Sequence, residues 1–232
     1  MEYAHVEPAV FLRRPNRFLA QVRTDRGEET VHVKNTGRCR ELLVPGCTVW
    51  LSRSDNPARK TRYDLIAAEK ALPDGTVLPV NLDSQIPNDV AAEWLPRSGL
   101  FSPAAVFRRE FTHGGSRFDF YIEDGDRKAF LEVKGCTLEQ DGVCRFPDAP
   151  TVRGARHVRE LIRAKEEGFE AYVLFVVQMA GMRYLVPNDA TDPDFGSALR
   201  AAGEAGVRVL AVECEVLPDR ISACRSLPVI LE

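Results

Sequence analysis

The pattern of the sequence changes near residue 83, and this change limits the folds open to the chain. Before it, short runs of strand-forming residues alternate with turn residues such as Asn35-Thr36-Gly37 and Pro73-Asp74-Gly75. The strands predicted there span residues 17–22, 30–33, 48–51, 63–67 and 77–80. Short strands at this density predict a small closed β-barrel over residues 1–83, with an OB-like barrel favoured over other small barrels.

From residue 84 onwards, the sequence alternates between helices and strands. The predicted helices span 89–95, 155–167 and 195–205, and the predicted strands span 116–123, 129–135, 171–178, 183–186 and 207–216. Strand 171–178 is almost wholly apolar, which is typical of a central strand covered on both faces. The pattern predicts an α/β domain with a mixed sheet over residues 84–232.

Charge and composition exclude several classes of protein. The net charge is −3, so the chain does not bind nucleic acid through its overall charge, and any polyanion must meet a local basic patch. The longest apolar run, 171–177, is too short to span a membrane, so we expect no membrane partner and a cytoplasmic location. The six cysteines include no C-x-x-C pair and are expected to be reduced packing residues.

Two carboxylates and a lysine lie on the predicted hairpin of strands 116–123 and 129–135. Glu132 and Lys134 are two residues apart, so they share a face, and Asp119 lies on the neighbouring strand. A carboxylate among apolar neighbours is tolerated only when something pairs with it, and both Lys134 and a divalent cation would do so. The hard oxygens of Asp119 and Glu132, with the backbone carbonyl between Glu132 and Lys134, suit Mg²⁺ or Mn²⁺.

By spacing alone, a second interpretation explains this hairpin at least as well. Asp119 and Glu132 would point outward from a half-exposed hairpin, with Lys134 as a solvated neighbour. A D-x(n)-E-x-K pattern is short and occurs in many unrelated chains.

Basic residues cluster near the hairpin and in the predicted barrel. In the helix at 155–167 and the turn before it, Arg153, His157 and Glu160 share one face, and a second stripe consists of Arg156, Arg159 and Arg163. This surface indicates a phosphate-rich ligand; the alternative is an arginine-rich helix face that only contacts solvent.

The barrel's candidate nucleic-acid-binding residues are Arg14, Arg17, Arg38, Arg40, Arg59, Lys60 and Arg62. Its candidate stacking residues, most of them expected in the core, are Phe11, Phe18, Trp50 and Tyr63.

Several stretches, in one order along the chain, carry a family resemblance. In the first half they are Arg14-Pro15-Asn16-Arg17-Phe18, His32-Val33-Lys34-Asn35-Thr36-Gly37-Arg38 and Arg59-Lys60-Thr61. In the second half they are Ser116-Arg117-Phe118-Asp119-Phe120, Glu132-Val133-Lys134-Gly135, Phe146-Pro147-Asp148-Ala149-Pro150-Thr151, Arg153-Gly154, His157, Glu160-Leu161 and Leu174-Phe175-Val176-Val177-Gln178. With these stretches the chain resembles the sugar fermentation stimulation protein A family along nearly its whole length. Lys34 stands where we expect a proline and Pro150 where valine is common.

The resemblance implies an OB-like domain followed by a PD-(D/E)xK nuclease-like domain, with DNA binding as the usual description and nuclease activity as the inferred chemistry. The positions matching the acid, acid and lysine of that motif are Asp119, Glu132 and Lys134. An acid on the preceding helix can join them, and Glu93 is the first candidate, with Glu110 second. Arg153, His157, Glu160 and Gln178 would be accessory residues near the scissile phosphate.

We therefore predict a metal-dependent nuclease acting on DNA, RNA or both. Mg²⁺ or Mn²⁺ held by Asp119 and Glu132 would lower the pKa of a water, and Lys134 would orient or help deprotonate it. The main alternative is a non-catalytic DNA-binding protein that regulates transcription of sugar metabolism genes. A nucleotide or sugar-phosphate enzyme is a weaker alternative, because no Gly-rich phosphate loop follows a strand. The sequence leaves open whether the chain forms a homodimer.

Overall fold

The computed structural model describes residues 1–35 and 37–232; Thr36, which belongs to a predicted turn and to one stretch of the resemblance, lies outside the described residues. In the first 81 residues, apart from Thr36, the strands are β1 (Val6–Asn16), β2 (Leu19–Thr24), β3 (Gly27–Val33), β4 (Thr48–Arg53), β5 (Tyr63–Ala71) and β6 (Val77–Asn81). Their order is β3-β2-β1-β4-β5-β6, and β3 also pairs with β5 in parallel, with His32 opposite Asp64. This pairing closes β1 to β5 into a barrel and confirms the OB-like prediction.

The second part of the chain begins with α1 (Ile86–Trp94), which is followed by a short 3₁₀ helix. The remaining elements are β7 (Val106–His113), β8 (Ser116–Asp124), β9 (Arg127–Cys136), β10 (Leu138–Gln140), β11 (Val143–Phe146), α2 (Val152–Glu166), β12 (Glu170–Val177), β13 (Tyr184–Pro187), α3 (Pro193–Glu204), β14 (Arg208–Leu217) and β15 (Arg220–Leu227). The main sheet has the order β15-β14-β12-β9-β8-β7, with β9, β12 and β14 parallel and the outer pairs antiparallel. The predicted α/β domain with a mixed sheet is confirmed.

The central strand β12 organises the core of this domain. Tyr172, Leu174 and Val176 pack with α1, whereas the alternate residues 173, 175 and 177 pack towards α2 and the barrel. Both faces of β12 are therefore covered, as its apolar sequence requires. The barrel shares one apolar cluster with the α2 side of the sheet, so the two parts of the chain pack as one body.

Some element boundaries differ from those predicted. Helix α1 begins at Ile86 instead of residue 89, because Pro87 sits in the first turn, where its missing N–H breaks no helical hydrogen bond. The predicted boundary at residue 83 falls between the end of β6 and the start of α1. Four cysteines are buried, but Cys224 is exposed. No helix in the described part of the chain is both long and apolar enough to cross a membrane.

Candidate active site

Strands β8 and β9 separate at the point where their charged residues meet. Their ladder runs as far as Phe120 opposite Leu131, and one step further Asp119 comes to lie across from Glu132. There the backbone N–H of Val133 donates to Asp119 Oδ2 at 2.7 Å, so a carboxylate oxygen accepts this hydrogen bond in place of a carbonyl of the neighbouring strand. Asp119, Glu132 and Lys134 line a cavity of about 260 Å³, which we call the carboxylate pocket.

Glu132 is the most enclosed charge in the carboxylate pocket, with its side chain 5% exposed. Its Oε1 accepts hydrogen bonds from Lys134 Nζ at 2.7 Å and from His157 Nδ1 at 2.5 Å. Burial opposes ionisation, but the His157 hydrogen bond and the Lys134 charge outweigh it, so the pKa of Glu132 lies below its usual value. The other oxygen, Oε2, is buried and has no hydrogen-bond partner among the described residues.

Asp119 is shifted in the opposite direction. Its Oδ1 accepts a hydrogen bond from Asn88 Nδ2 at 2.9 Å, and Asn88 enters the site from the first turn of α1. Burial and, after it, the negative charge of Glu132 raise the pKa of Asp119 above its usual value. The pKa values of the two neighbouring carboxylates are thus shifted apart, and a cation between them would offset their repulsion.

Helix α2 supplies the third wall of the carboxylate pocket. Thr151 caps the helix by accepting a hydrogen bond from the N–H of Gly154, and a Cβ at Gly154 would lie 2.7 Å from the Thr151 hydroxyl. This close start to the helix places His157 against Glu132. Arg153 Nε donates to His157 Nε2 at 3.4 Å, so the ring is held from both sides.

Comparison with known proteins agrees with this architecture. A model described as the SfsA N-terminal OB domain matches residues 12–78, and one described as the sugar fermentation stimulation protein RE domain matches residues 85–220. The chain belongs to the sugar fermentation stimulation protein family. The predicted resemblance is thus confirmed.

Relatives of the family match the chain over nearly its whole length. A sugar fermentation stimulation protein homolog of Desulfitobacterium hafniense strain Y51 is 52% identical over 96% of this chain and 95% of its own. One from Clostridium beijerinckii is 46% identical and covers both chains fully. A solved structure of Pyrococcus furiosus SfsA in complex with Ca²⁺ is 30% identical, covers 99% of this chain and 98% of its own, and superposes with a TM-score of 0.86.

The structure does not bring Glu93 to the carboxylate pocket, and we correct that assignment. Its carboxylate instead pairs with the amino group of Met1 at 2.8 Å, because α1 directs it away from β8 and β9. Glu110, the second candidate, does line the carboxylate pocket, but it lies on β7 with a φ of 55°. Since Arg109 pairs with Phe120 and Phe111 with Phe118, Glu110 falls opposite Asp119.

Two accessory candidates also have other partners. Glu160 accepts a hydrogen bond from Arg163 at 2.6 Å and does not reach the carboxylate pocket, although it was predicted to share a helix face with Arg153 and His157. Gln178 is buried behind the end of β9, where its amide bonds the backbone of residues 81 and 83. Both residues have a positional role in the structure, and neither lines the carboxylate pocket.

The predicted nucleic-acid-binding residues fall into three groups. Those with acidic partners are Arg59 with Asp64, Arg159 with Asp194 and Arg163 with Glu160. Arg14 binds backbone carbonyls. Those that are exposed or half-buried and have no acid within 4 Å among the described residues are Arg17, Arg38, Arg40, Lys60, Arg62 and Arg156. Lys60 and Arg62 line a second cavity, at the loop between β4 and β5.

Sequence reasoning missed Asn88 and Arg117, which both line the carboxylate pocket. Asn88 directly follows Pro87, and such a pair before a predicted helix is typical of a helix start and does not by itself indicate a site residue. Arg117 lies two residues before Asp119 on β8, so strand alternation places both on one face, and this is the sequence signal that points to it. Its weak contact with Glu110, at 3.6 Å, depends on β7, a strand that was not predicted.

Proposed function

We propose that this protein is a metal-dependent nuclease that hydrolyses phosphodiester bonds in DNA, RNA or both. The observation that carries the proposal is Glu132 Oε2, a buried carboxylate oxygen without a partner next to a second carboxylate. Leaving such an oxygen unpaired is costly, and a bound cation would complete its coordination. The Ca²⁺ complex of the Pyrococcus furiosus relative supports a divalent cation in this family.

The donor set fits a hard cation. Asp119 and Glu132 offer only oxygens, which suits Mg²⁺ or Mn²⁺ better than softer metals. Within the described residues no three His, Cys, Asp or Glu side chains are grouped as metal ligands. Asp119 and Glu132, which lie across from each other in the carboxylate pocket, are the two residues that would hold the ion. When bound, the cation would offset charge on the phosphate in the transition state and make water easier to deprotonate.

Protein side chains supply the remaining chemistry. Lys134 holds its ammonium at 2.7 Å from Glu132 Oε1, at the wall of the carboxylate pocket, where it can orient a water and donate to a phosphate oxygen. The exposed guanidinium groups of Arg153 and Arg117 line the same pocket and would bind the scissile phosphate. His157 fixes the orientation of Glu132 from behind.

A DNA-binding regulator without cleavage is the second candidate, and one observation favours it. Both oxygens of Asp119 already accept hydrogen bonds from the protein, as does one oxygen of Glu132. A cluster tied in this way can be stable with no ligand and serve only to join β8, β9 and α2.

Incubation with labelled single- and double-stranded DNA and RNA separates the two candidates. The nuclease should cleave at least one substrate in Mn²⁺ or Mg²⁺ and none in chelator, and Asp119→Asn should lower the rate by about 100-fold or more. Asp126→Asn, an exposed acid in the turn between β8 and β9, is the matched control and should cleave like wild type. Binding without metal-dependent cleavage of any substrate would overturn the nuclease in favour of the regulator.

A further inference from the structure

We propose that a cleft between the barrel and the α/β domain binds a single nucleic-acid strand and directs it to the carboxylate pocket. Its barrel wall carries Arg14, Arg17, Arg38 and Arg40, and its other wall is the segment 146–151. We call this cavity of about 600 Å³ the arginine cleft. That the strand is cut at the carboxylate pocket rests on the function proposed above; that the strand binds in the arginine cleft does not.

Charge favours a polyanion in the arginine cleft. Arg17, Arg38 and Arg40 are exposed, and none has an acid within 4 Å in the described part of the chain. Among the described lining residues, Asp148 is the single acid against four arginines. Guanidinium groups without acid partners bind phosphates without first losing an ion pair, and they release counterions from the nucleic acid.

Arg14 holds the arginine cleft open in a fixed shape. Its Nη1 donates to the carbonyls of Gly37 and Arg38 at 2.8 and 2.9 Å, and its Nη2 donates to those of Arg17 and Asn35 at 2.7 and 2.6 Å. One side chain thus joins the turn between β1 and β2 to the loop after β3. All four acceptors are backbone carbonyls and none is a carboxylate, and these hydrogen bonds fix the backbone of Arg17 and Arg38.

The two walls also touch directly. A Cβ at Gly37 would lie 2.2 Å from Asp148 Oδ2, so the barrel loop lies directly against Asp148, and a side chain at residue 37 would displace it. The arginine cleft is therefore formed before any ligand arrives, which reduces the entropy lost on binding.

Phe18 indicates that the ligand is a single strand. It lies next to Arg17 in the turn between β1 and β2 and is 52% exposed, whereas Phe11 and Tyr63 are buried. Asn16 Oδ1 accepts hydrogen bonds from the N–H groups of Phe18 and Leu19 at 2.9 and 3.0 Å and so fixes this turn. Phe18 does not line the arginine cleft, but it directly follows the lining residue Arg17, and an exposed aromatic ring there can stack on an unpaired base of a strand that leaves the cleft. The bases of a duplex are already stacked on each other.

The arginine cleft and the carboxylate pocket lie on either side of one residue. Thr151 lines both cavities. Its neighbour Val152 is 85% exposed, an apolar surface at the point where a strand would pass from one cavity to the other. Arg153, on the wall of the carboxylate pocket, is two residues from Thr151, so a strand that passes Thr151 would approach that wall.

The test measures binding in chelator, so that cleavage plays no part. Fluorescence anisotropy would follow a labelled oligothymidylate of about 16 nucleotides, the same strand as a duplex, and an oligouridylate of equal length. The full-length protein should bind the single strands more tightly than the duplex, and binding of either sugar supports the proposal. Phe18→Ala should weaken single-strand binding by about 5-fold or more and leave duplex binding unchanged.

The arginines are tested through salt dependence. Arg17→Ala and Arg38→Ala should each reduce the slope of log affinity against log salt by about 1. Arg23→Ala is the matched control, because Arg23 is exposed on β2 of the same barrel, has no acid within 4 Å among the described residues and lies outside the arginine cleft. Phe18→Leu, which keeps an apolar side chain but loses the ring, should weaken binding as Phe18→Ala does.

The outcomes separate this proposal from the nuclease. Equal affinity for duplex and single strand, or equal slopes for Arg17→Ala and Arg23→Ala, would overturn the arginine cleft. Tight single-strand binding that responds to these variants, with no cleavage in Mn²⁺, would uphold the cleft and overturn the nuclease. Metal-dependent cleavage by the wild type, with cleft variants that bind like wild type, would uphold the nuclease and overturn the arginine cleft.

Discussion

Removing the lysine of the carboxylate pocket should destabilise the protein as well as reduce cleavage. In Lys134→Met the aliphatic chain remains, but the ammonium that donates to Glu132 Oε1 at 2.7 Å is lost. The two side chains are only 13% and 5% exposed, and removing one partner of a buried pair costs about 3–5 kcal/mol. Because His157 still donates to Glu132, we expect a smaller loss of about 1–3 kcal/mol.

The size of this loss should depend on pH in a defined direction. The pKa of Glu132 is lowered in the folded protein, so its contribution to stability is present above its unfolded pKa and is lost as the pH falls through the folded pKa. Lys134→Met removes one cause of that lowering. The difference between variant and wild type should therefore be full at neutral pH and shrink in acid, as the pH falls below the unfolded pKa of Glu132 and then through its lowered folded pKa.

Urea unfolding at neutral and acidic pH measures both effects. Lys128→Met is the matched control, because Lys128 lies on the same strand, is exposed and has no acid within 4 Å in the described residues. It should unfold like wild type at either pH. If Lys134→Met were as stable as Lys128→Met at neutral pH, or lost the same amount at both pH values, the electrostatic account of the carboxylate pocket would be refuted.

Three other changes test the same region. Calorimetry should show Mn²⁺ binding that strengthens as pH rises, because the raised pKa of Asp119 lets protons compete with the metal. Asp119→Asn should weaken Mn²⁺ binding by at least about 10-fold. If wild type and Asp119→Asn bound Mn²⁺ equally, the metal would not bind at Asp119. Gly135→Ala should lower the free energy of unfolding in urea by about 1–3 kcal/mol, because its Cβ would lie 2.5 Å from Gln178 Oε1. Gly115→Ala, with open space around it, should change that free energy little. Equal losses in the two variants would contradict the close contact at Gly135. His157→Phe keeps a ring but loses the hydrogen bond to Glu132, so it should lower the free energy of unfolding by about 1–3 kcal/mol. An unchanged free energy of unfolding would exclude a stabilising role for this hydrogen bond.

The elements that could be predicted from sequence are those with one clear periodicity. Strand β12 is apolar throughout, and β8 and β9 flank an Asp-Gly-Asp turn, so each was located within a few residues. Strand β1 was missed because Pro8 and Pro15 interrupt it, and β7 because it lies at a sheet edge with most of its residues exposed. Pairing with β4 and β8, which local sequence does not reveal, defines these two strands.

The residues of the candidate site also divide into those that local sequence patterns reveal and those that only the tertiary structure reveals. Asp119, Glu132, Lys134 and His157 were found because adjacent strands and helical spacing bring them together locally. The choice between Glu93 and Glu110 depended on the direction in which α1 crosses the sheet, which is a tertiary property. Arg14 was predicted to bind nucleic acid because its charge is visible in the sequence, whereas the four carbonyls that it binds are not.

A buried polar joint links the barrel to the carboxylate pocket. Gln178 Nε2 donates to the carbonyls of Asn81 and Asp83 at 3.0 and 3.1 Å, and the N–H of Gln178 donates to the carbonyl of Cys136, at the end of β9. Lys34, which replaces the proline expected there, pairs with Asp83 at 3.0 Å from the barrel side. Residues 81–83, at the end of β6, therefore bind both the segment that follows β3, through Lys34, and the end of the strand that carries Glu132, through Gln178. Because these buried hydrogen bonds all meet at one point, they resist movement of the barrel relative to the carboxylates.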